Sequence, residues 1–178
     1  MWQCIGETLH LKNVQLSLKY EGNILASEFG DADFTNGGIE GPIGYKLSRR
    51  AVELLSTNPA SQAAPAKQAS GVRVKSSQLQ LILDLKPAVS REELATRLSS
   101  IIRSKGRAAA NLQALLREVM PVLLIRPFLF AHPALPMDPV KIAKELKSWH
   151  FTITGYVGYN RAVVTAGGVS LSELSKKN

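Results

Sequence analysis

An α+β fold, an antiparallel, barrel-like β subdomain with a small helical subdomain inserted in it, follows from two changes of period along the chain. Residues 9–20 and 72–85 alternate apolar and polar side chains, the period-two habit of strands with one wet face. Between Pro87 and Trp149 the apolar spacing turns helical, and after Trp149 β-branched residues and glycines return. The β subdomain accordingly takes residues 1–89 and 150–170, and the helical subdomain residues 90–149.

The first strand rests on Val14, Leu16, Leu18 and Tyr20 facing one way and Gln15, Ser17 and Lys19 the other. Glu21-Gly22-Asn23 reads as a hairpin turn into a second strand near residues 24–29. Asp31 and Asp33, beside Gly30, read as turn formers in a loop. Pro42 starts a helix in which Ile43, Leu47, Ala51 and Leu54 share a face, while Arg49, Arg50 and Glu53 point outward. Residues 56–70 hold two prolines and almost no large apolar side chain, the composition of a mobile loop. Val72 and Val74, then Leu79, Leu81, Leu83 and Leu85, supply further strand.

The helical part opens on a capping box, Ser90 with Glu93, followed by Leu94, Leu98, Ile101 and Ile102 on one face and Gly106 as a stop, giving a helix over about 91–104. A second helix, about 108–120, carries Leu112, Leu115, Leu116 and Val119 on one side and ends at Pro121. The unbroken apolar run 121–130 could meet a partner, but burial against the helices is the commoner fate of such a run. A third helix has Asp138 as its cap and Pro139 in first position, with Ile142, Ala143, Leu146 and Trp149 inward. Strands at 150–154 and 161–165, beside the turn residues Gly155 and Gly158, close the sheet.

Composition narrows the function. With 178 residues and 45% apolar content the chain can bury a core. It has no apolar stretch of membrane-spanning length, and residues 1–4 lack the pattern of a signal peptide, so a cytoplasmic protein is expected. The single Cys4 has no internal disulfide partner. The net charge of +8 lies in the second half: residues 1–89 hold 9 basic and 8 acidic side chains, residues 90–178 hold 13 and 6. Arg97, Arg103, Lys105 and Arg107 cluster around a helix C-terminus, where the dipole favours cations, so nucleic acid is the weaker explanation of the charge. His10, His132 and His150 are scattered without metal-ligand spacing, and no G-x-S-x-G elbow is present. No metal is expected, and catalytic residues stay unassigned.

Two glycine segments remain. Gly37-Gly38-Ile39-Glu40-Gly41-Pro42-Ile43-Gly44 leads into a helix, as an anion-binding turn does, although Glu40 opposes a phosphate and a tight turn packed under the helix explains the same residues. Thr165-Ala166-Gly167-Gly168-Val169 reads as a strand ending in a glycine turn.

Phe34-Thr35-Asn36-Gly37-Gly38-Ile39-Glu40-Gly41-Pro42 resembles the F-T-H-x-G-(L/I)-S-G-P motif, and Ala162–Val169 the A-x-V-T-A-G-G-V segment, of the BaiN-type NAD(P)/FAD-dependent oxidoreductases. Between them, Leu83-Asp84-Leu85-Lys86-Pro87 is similar to that family's L-D-L-x-P, and Leu146–Phe151 to its L-K-x-x-x-F passage. The resemblance spans nearly the whole chain. It implies an insert domain that covers the flavin and helps shape a small-molecule substrate cavity, while a Rossmann domain of the same polypeptide binds FAD, with NAD(P)H as a candidate reductant. It places Thr35, Gly38, Gly41 and Pro42, together with Thr165, Gly167 and Gly168, near the flavin of the complete protein, and therefore on one face of the domain. The chain departs from the family where Asn36 or Gly37 stands in place of a common His and Glu40 in place of Ser. Because G-x-G-x-x-G is absent, the chain reads as an excised insert, with neighbouring ends, that neither catalyses nor binds FAD alone. The alternative is a basic RNA- or protein-binding module acting through the helical half.

Overall fold

Alternation along β1 (Leu9–Tyr20) builds the centre of the sheet. Leu9, Leu11, Val14, Leu16 and Leu18 are buried on one face, and β1 pairs on both sides. The computed structural model describes residues 8–35, 38–56, 79–106, 111–156, 158 and 163. Their elements continue with β2 (Asn23–Thr35), β3 (Gly38–Glu40), α1 (Pro42–Ser56), β4 (Leu79–Asp84), α2 (Arg91–Lys105), α3 (Leu112–Leu116), α4 (Val122–Ala131), α5 (Pro139–Lys147) and β5 (Trp149–Thr152). The five strands make one antiparallel sheet in the order β3-β2-β1-β4-β5, curled into a half-barrel. The fold is α+β with a barrel-like sheet, as the periodicities imply.

The β1–β2 hairpin turns on Glu21 and Gly22, both at positive φ (48° and 89°), the pairing a right-twisted two-residue turn requires. Further along, Leu11 pairs with Ala32 but Val14 with Gly30, so β1 carries one extra residue. Asn13, at φ 54°, takes up this bulge, and its N–H donates to Asp31 Oδ1 at 3.0 Å.

Helix α1 lies over β1 and β2, with Ile43, Leu47, Ala51 and Leu55 buried. Leu54, expected on that face, is only partly buried. The approach is close enough that a side chain at Gly30 would put its Cβ 2.9 Å from Ile43 Cγ2. At the other end of the sheet α5 packs on β4 and α2, and Leu94, Leu98, Ile142 and Leu146 extend the core from the sheet into the helices. Trp149 joins the two layers, 5.2 Å edge-on to Phe128 of α4 and 4.8 Å from Phe151, ring centroid to centroid.

Several sequence expectations are corrected here. Asp31 and Asp33 are strand residues of β2, not turn formers, because the strand runs on to Thr35 and turns both side chains away from the core. The second helix is short: Asn111 caps it through its side chain to Ala114 N–H, and it ends at Leu116. The apolar run after it is itself a helix, α4, with Pro121 at its start and Pro127 inside. The missing N–H of Pro127 would have bonded the Leu123 carbonyl, and Leu123 is exposed, so water can take that place. Trp149 is inward as expected but opens β5 instead of closing α5, since Ser148 leaves the helix at φ −149°. The helix opened by Ser90 and Glu93 keeps its capping box, with both reciprocal hydrogen bonds. Most of the expected loop 56–70, the strand at 72–75 and the strand at 161–165 lie outside the described residues.

Candidate functional site

The corner where β2, β3 and α1 meet gathers the first glycine motif. Phe34 and Ile39 pair across β2 and β3 on the core face, Phe34 fully buried, which fixes the hairpin and leaves the opposite face to polar residues. On that face the register runs His10, Asp33, Glu40 across three strands. His10 Nδ1 is 2.7 Å from Asp33 Oδ1; a carboxylate only accepts, so this nitrogen carries the hydrogen. The Thr35 hydroxyl lies 3.2 Å from Glu40 Oε1 and 3.5 Å from the Gly38 carbonyl oxygen, donating toward both.

Two glycines here serve different needs. Gly41 sits at φ +85°, and a Cβ there would lie 3.0 Å from Asp33 N and 3.2 Å from Asp33 Oδ2, so the turn closes only with hydrogen at that place. Its carbonyl accepts from Tyr45 N–H at 2.9 Å, opening α1 with Pro42 in first position. Gly38, at φ +130°, faces open space within 4 Å. The N–H groups of Ile43 and Gly44, in the first turn of α1, have no acceptor inside the helix.

Asp31, Asp33 and Glu40 on one face make the corner a poor cradle for a pyrophosphate. The structure brings together Thr35, Gly38, Gly41 and Pro42. Thr165, Gly167 and Gly168 lie outside the described residues, as do Asn36 and Gly37.

The other histidines sit apart from this corner. His132, at the end of α4, bonds the Phe128 carbonyl through Nδ1 (2.8 Å) and faces Glu145 of α5 through Nε2 (3.2 Å), bridging the two helices. His150 on β5 is held below the usual imidazole range, first by partial desolvation and then by Lys19, with Lys144 adding to this and Glu145 opposing it. In the helical half Glu118 pairs with Lys105, Asp138 caps α5 and Glu93 caps α2, whereas Arg97, Arg103, Arg117, Arg126, Lys141 and Lys144 have no ion-pair partner among the described residues. Among these residues no three His, Cys, Asp or Glu side chains group as metal ligands, and no helix is long and apolar enough to cross a membrane.

Sequence reasoning passed over the His10–Asp33 pair. The two residues are 23 positions apart, and their meeting depends on strand register, for which no local motif exists. No family model matches the chain, and no curated protein matches it.

Proposed function

We propose that this chain is the insert domain of a FAD-dependent oxidoreductase, a cytoplasmic protein in which it lies over the flavin and shapes the substrate cavity. The observation that carries the reading is the corner built by Thr35, Gly38, Gly41 and Pro42: the residues that resemble the flavoprotein motif turn one strand into a helix start and leave hydrogen-bonding groups beside an open glycine. Bound there, a flavin would supply two-electron exchange with a small-molecule substrate. The domain's own part is to offer the Thr35 hydroxyl and the α1 N–H groups, to exclude a side chain at Gly38, and to shield the site from water. FAD itself would be held by a Rossmann domain of the same polypeptide.

The test is flavin retention. The polypeptide carrying this domain together with its FAD-binding part should purify yellow, and Thr35→Val, which keeps the branched shape and removes the hydroxyl, should lower its flavin content while the variant stays folded. This chain alone should give no saturable FAD fluorescence change. A colourless complete polypeptide refutes the proposal, and so does tight FAD binding by the isolated chain.

The cations of the helical half that have no ion-pair partner among the described residues, Arg97, Arg103, Arg117, Arg126, Lys141 and Lys144, favour a second reading, a basic module for RNA or an acidic protein. Binding of mixed RNA that falls steeply with salt would support it over the first.

A further inference from the structure

The apolar run 121–130 is only half absorbed by the core. Helix α4 buries Leu124, Ile125, Pro127 and Phe128, while Val122, Leu123 and Phe130 stay 63%, 52% and 69% exposed. At about 100° per residue these three and Arg126 fall within about 100° of arc, so the outward face of α4 is a ridge of three apolar side chains around one guanidinium. Scattered exposed apolar residues are ordinary; three on one face of a ten-residue helix are a surface. α5, tied to α4 by the His132–Glu145 contact, turns outward a similar mixture, Val140 with Lys141 and Lys144. The Arg126, Lys141 and Lys144 side chains have no ion-pair partner among the described residues. α4 holds no carboxylate, and those flanking it are committed, Glu118 to Lys105, Asp138 to the first N–H groups of α5 and Glu145 to His132.

We infer that this face docks on an anionic lipid surface, with Val122, Leu123 and Phe130 entering the boundary between headgroups and acyl chains and Arg126, Lys141 and Lys144 meeting lipid phosphates. With ten residues α4 is long enough to lie in that boundary and too short to cross a bilayer. Charge and shape together choose this occupant. A second copy pairing through the same face would set Arg126 and the two lysines against their own kind, with no free carboxylate to meet them. RNA would satisfy the cations and leave Val122, Leu123 and Val140 in water, because its bases stack on aromatic rings. An acidic protein groove would take the ridge of α4 and leave the apolar and basic residues of α5 unused, whereas a broad, yielding surface of phosphates over hydrocarbon answers both kinds of side chain.

Co-sedimentation of this chain with lipid vesicles tests the inference. The wild type should bind vesicles of phosphatidylcholine and phosphatidylglycerol in equal parts, bind phosphatidylcholine alone far more weakly, and lose affinity as salt rises. Leu123→Ser with Phe130→Ser should lower the partition coefficient at least about tenfold, and Arg126→Glu by a similar factor, while both proteins keep the wild-type unfolding midpoint because the altered side chains are exposed. Phe130→Trp should emit further to the blue on the anionic vesicles than in buffer. Failure of the wild type to bind anionic vesicles overturns the inference. Binding that the double serine variant retains in full, or an indole emission that does not move, overturns the entry of α4 by reducing attachment to charge alone. Tighter binding to mixed RNA than to anionic vesicles, weakened by Arg126→Glu, would assign the face to nucleic acid instead, and a dimer abolished by Phe130→Ser would assign it to a second copy.

Discussion

Lys147 at the end of α5 places its Nζ 2.8 Å from Asp84 Oδ2 at the end of β4, and 2.7 Å from the Lys86 carbonyl oxygen. Asp84 Oδ1 accepts from Lys86 N–H, and Leu85 N–H donates to the Leu146 carbonyl, so one ammonium and one carboxylate lock helix to strand over a short stretch. Both side chains are largely sheltered, and the bonds are charge-assisted. Lys147→Met should therefore cost about 2 kcal/mol in urea unfolding, more than an exposed pair such as Arg49–Glu53 contributes. A change below a few tenths of that would mean the clasp is incidental.

Trp149 is 2% exposed, and its indole N–H has no hydrogen-bond partner among the described residues. Trp149→Phe removes that orphan donor along with some ring area, and the two effects oppose each other. The expected net change is within about 1 kcal/mol, whereas Trp149→Ala should cost about 3–5 kcal/mol. Thermal unfolding of the two variants, compared directly, reads the difference.

Gly22 and Gly41 have nearly the same φ, +89° and +85°, but a Cβ at Gly22 meets nothing within 4 Å while one at Gly41 meets the Asp33 backbone. Replacing each by alanine separates conformational strain from crowding. Gly22→Ala should cost about 1 kcal/mol and Gly41→Ala about 2–4 kcal/mol, with the excess belonging to contact. Equal costs would show that the β3–α1 turn shifts freely, which would also weaken the case for a shaped corner.

His150 gives the chain a pH dependence of known sign. Its folded pKa lies below the ordinary value because burial and Lys19 disfavour the imidazolium. The unfolded chain therefore binds the proton more readily, and the stability contribution present above the ordinary imidazole pKa is lost as pH falls through it toward the lower folded value. Wild-type stability should decline from about pH 7.5 to pH 5, and His150→Gln should flatten part of that slope. An unchanged slope in the variant would assign the decline to other groups.

Patterns confined to a few neighbouring residues were readable in the sequence. The alternation of Leu79, Leu81 and Leu83 predicts β4, and Ser90 with Glu93 predicts the start of α2, because both signals are local. α4 was hidden because its apolar residues run without period and its two prolines argue against a helix, while burial of Leu124, Ile125 and Phe128 outweighs both. Asp31 and Asp33 mislead for a related reason: aspartate is uncommon in strands, but here each is held on the open face by a neighbour from β1, Asp31 by the Asn13 N–H and Asp33 by His10. The glycine corner was legible as a motif, but the imidazole beside it was a product of register alone.

The bulge at Asn13 shows how that register is kept across an irregularity. Upstream of it the core-facing residues of β1 are odd-numbered, Leu9 and Leu11; downstream they are even, Val14, Leu16 and Leu18. The strand thus changes its phase once, like a sentence whose stress shifts by a syllable. Taking out Asn13 alone would restore plain alternation, with Leu9 and Leu11 inward, Lys12 outward and Val14 inward, and His10 would keep its place across from Asp33. The extra residue is therefore a spare one: it bends the strand and brings an N–H to Asp31, and the strand on either side keeps its faces whether or not it is there.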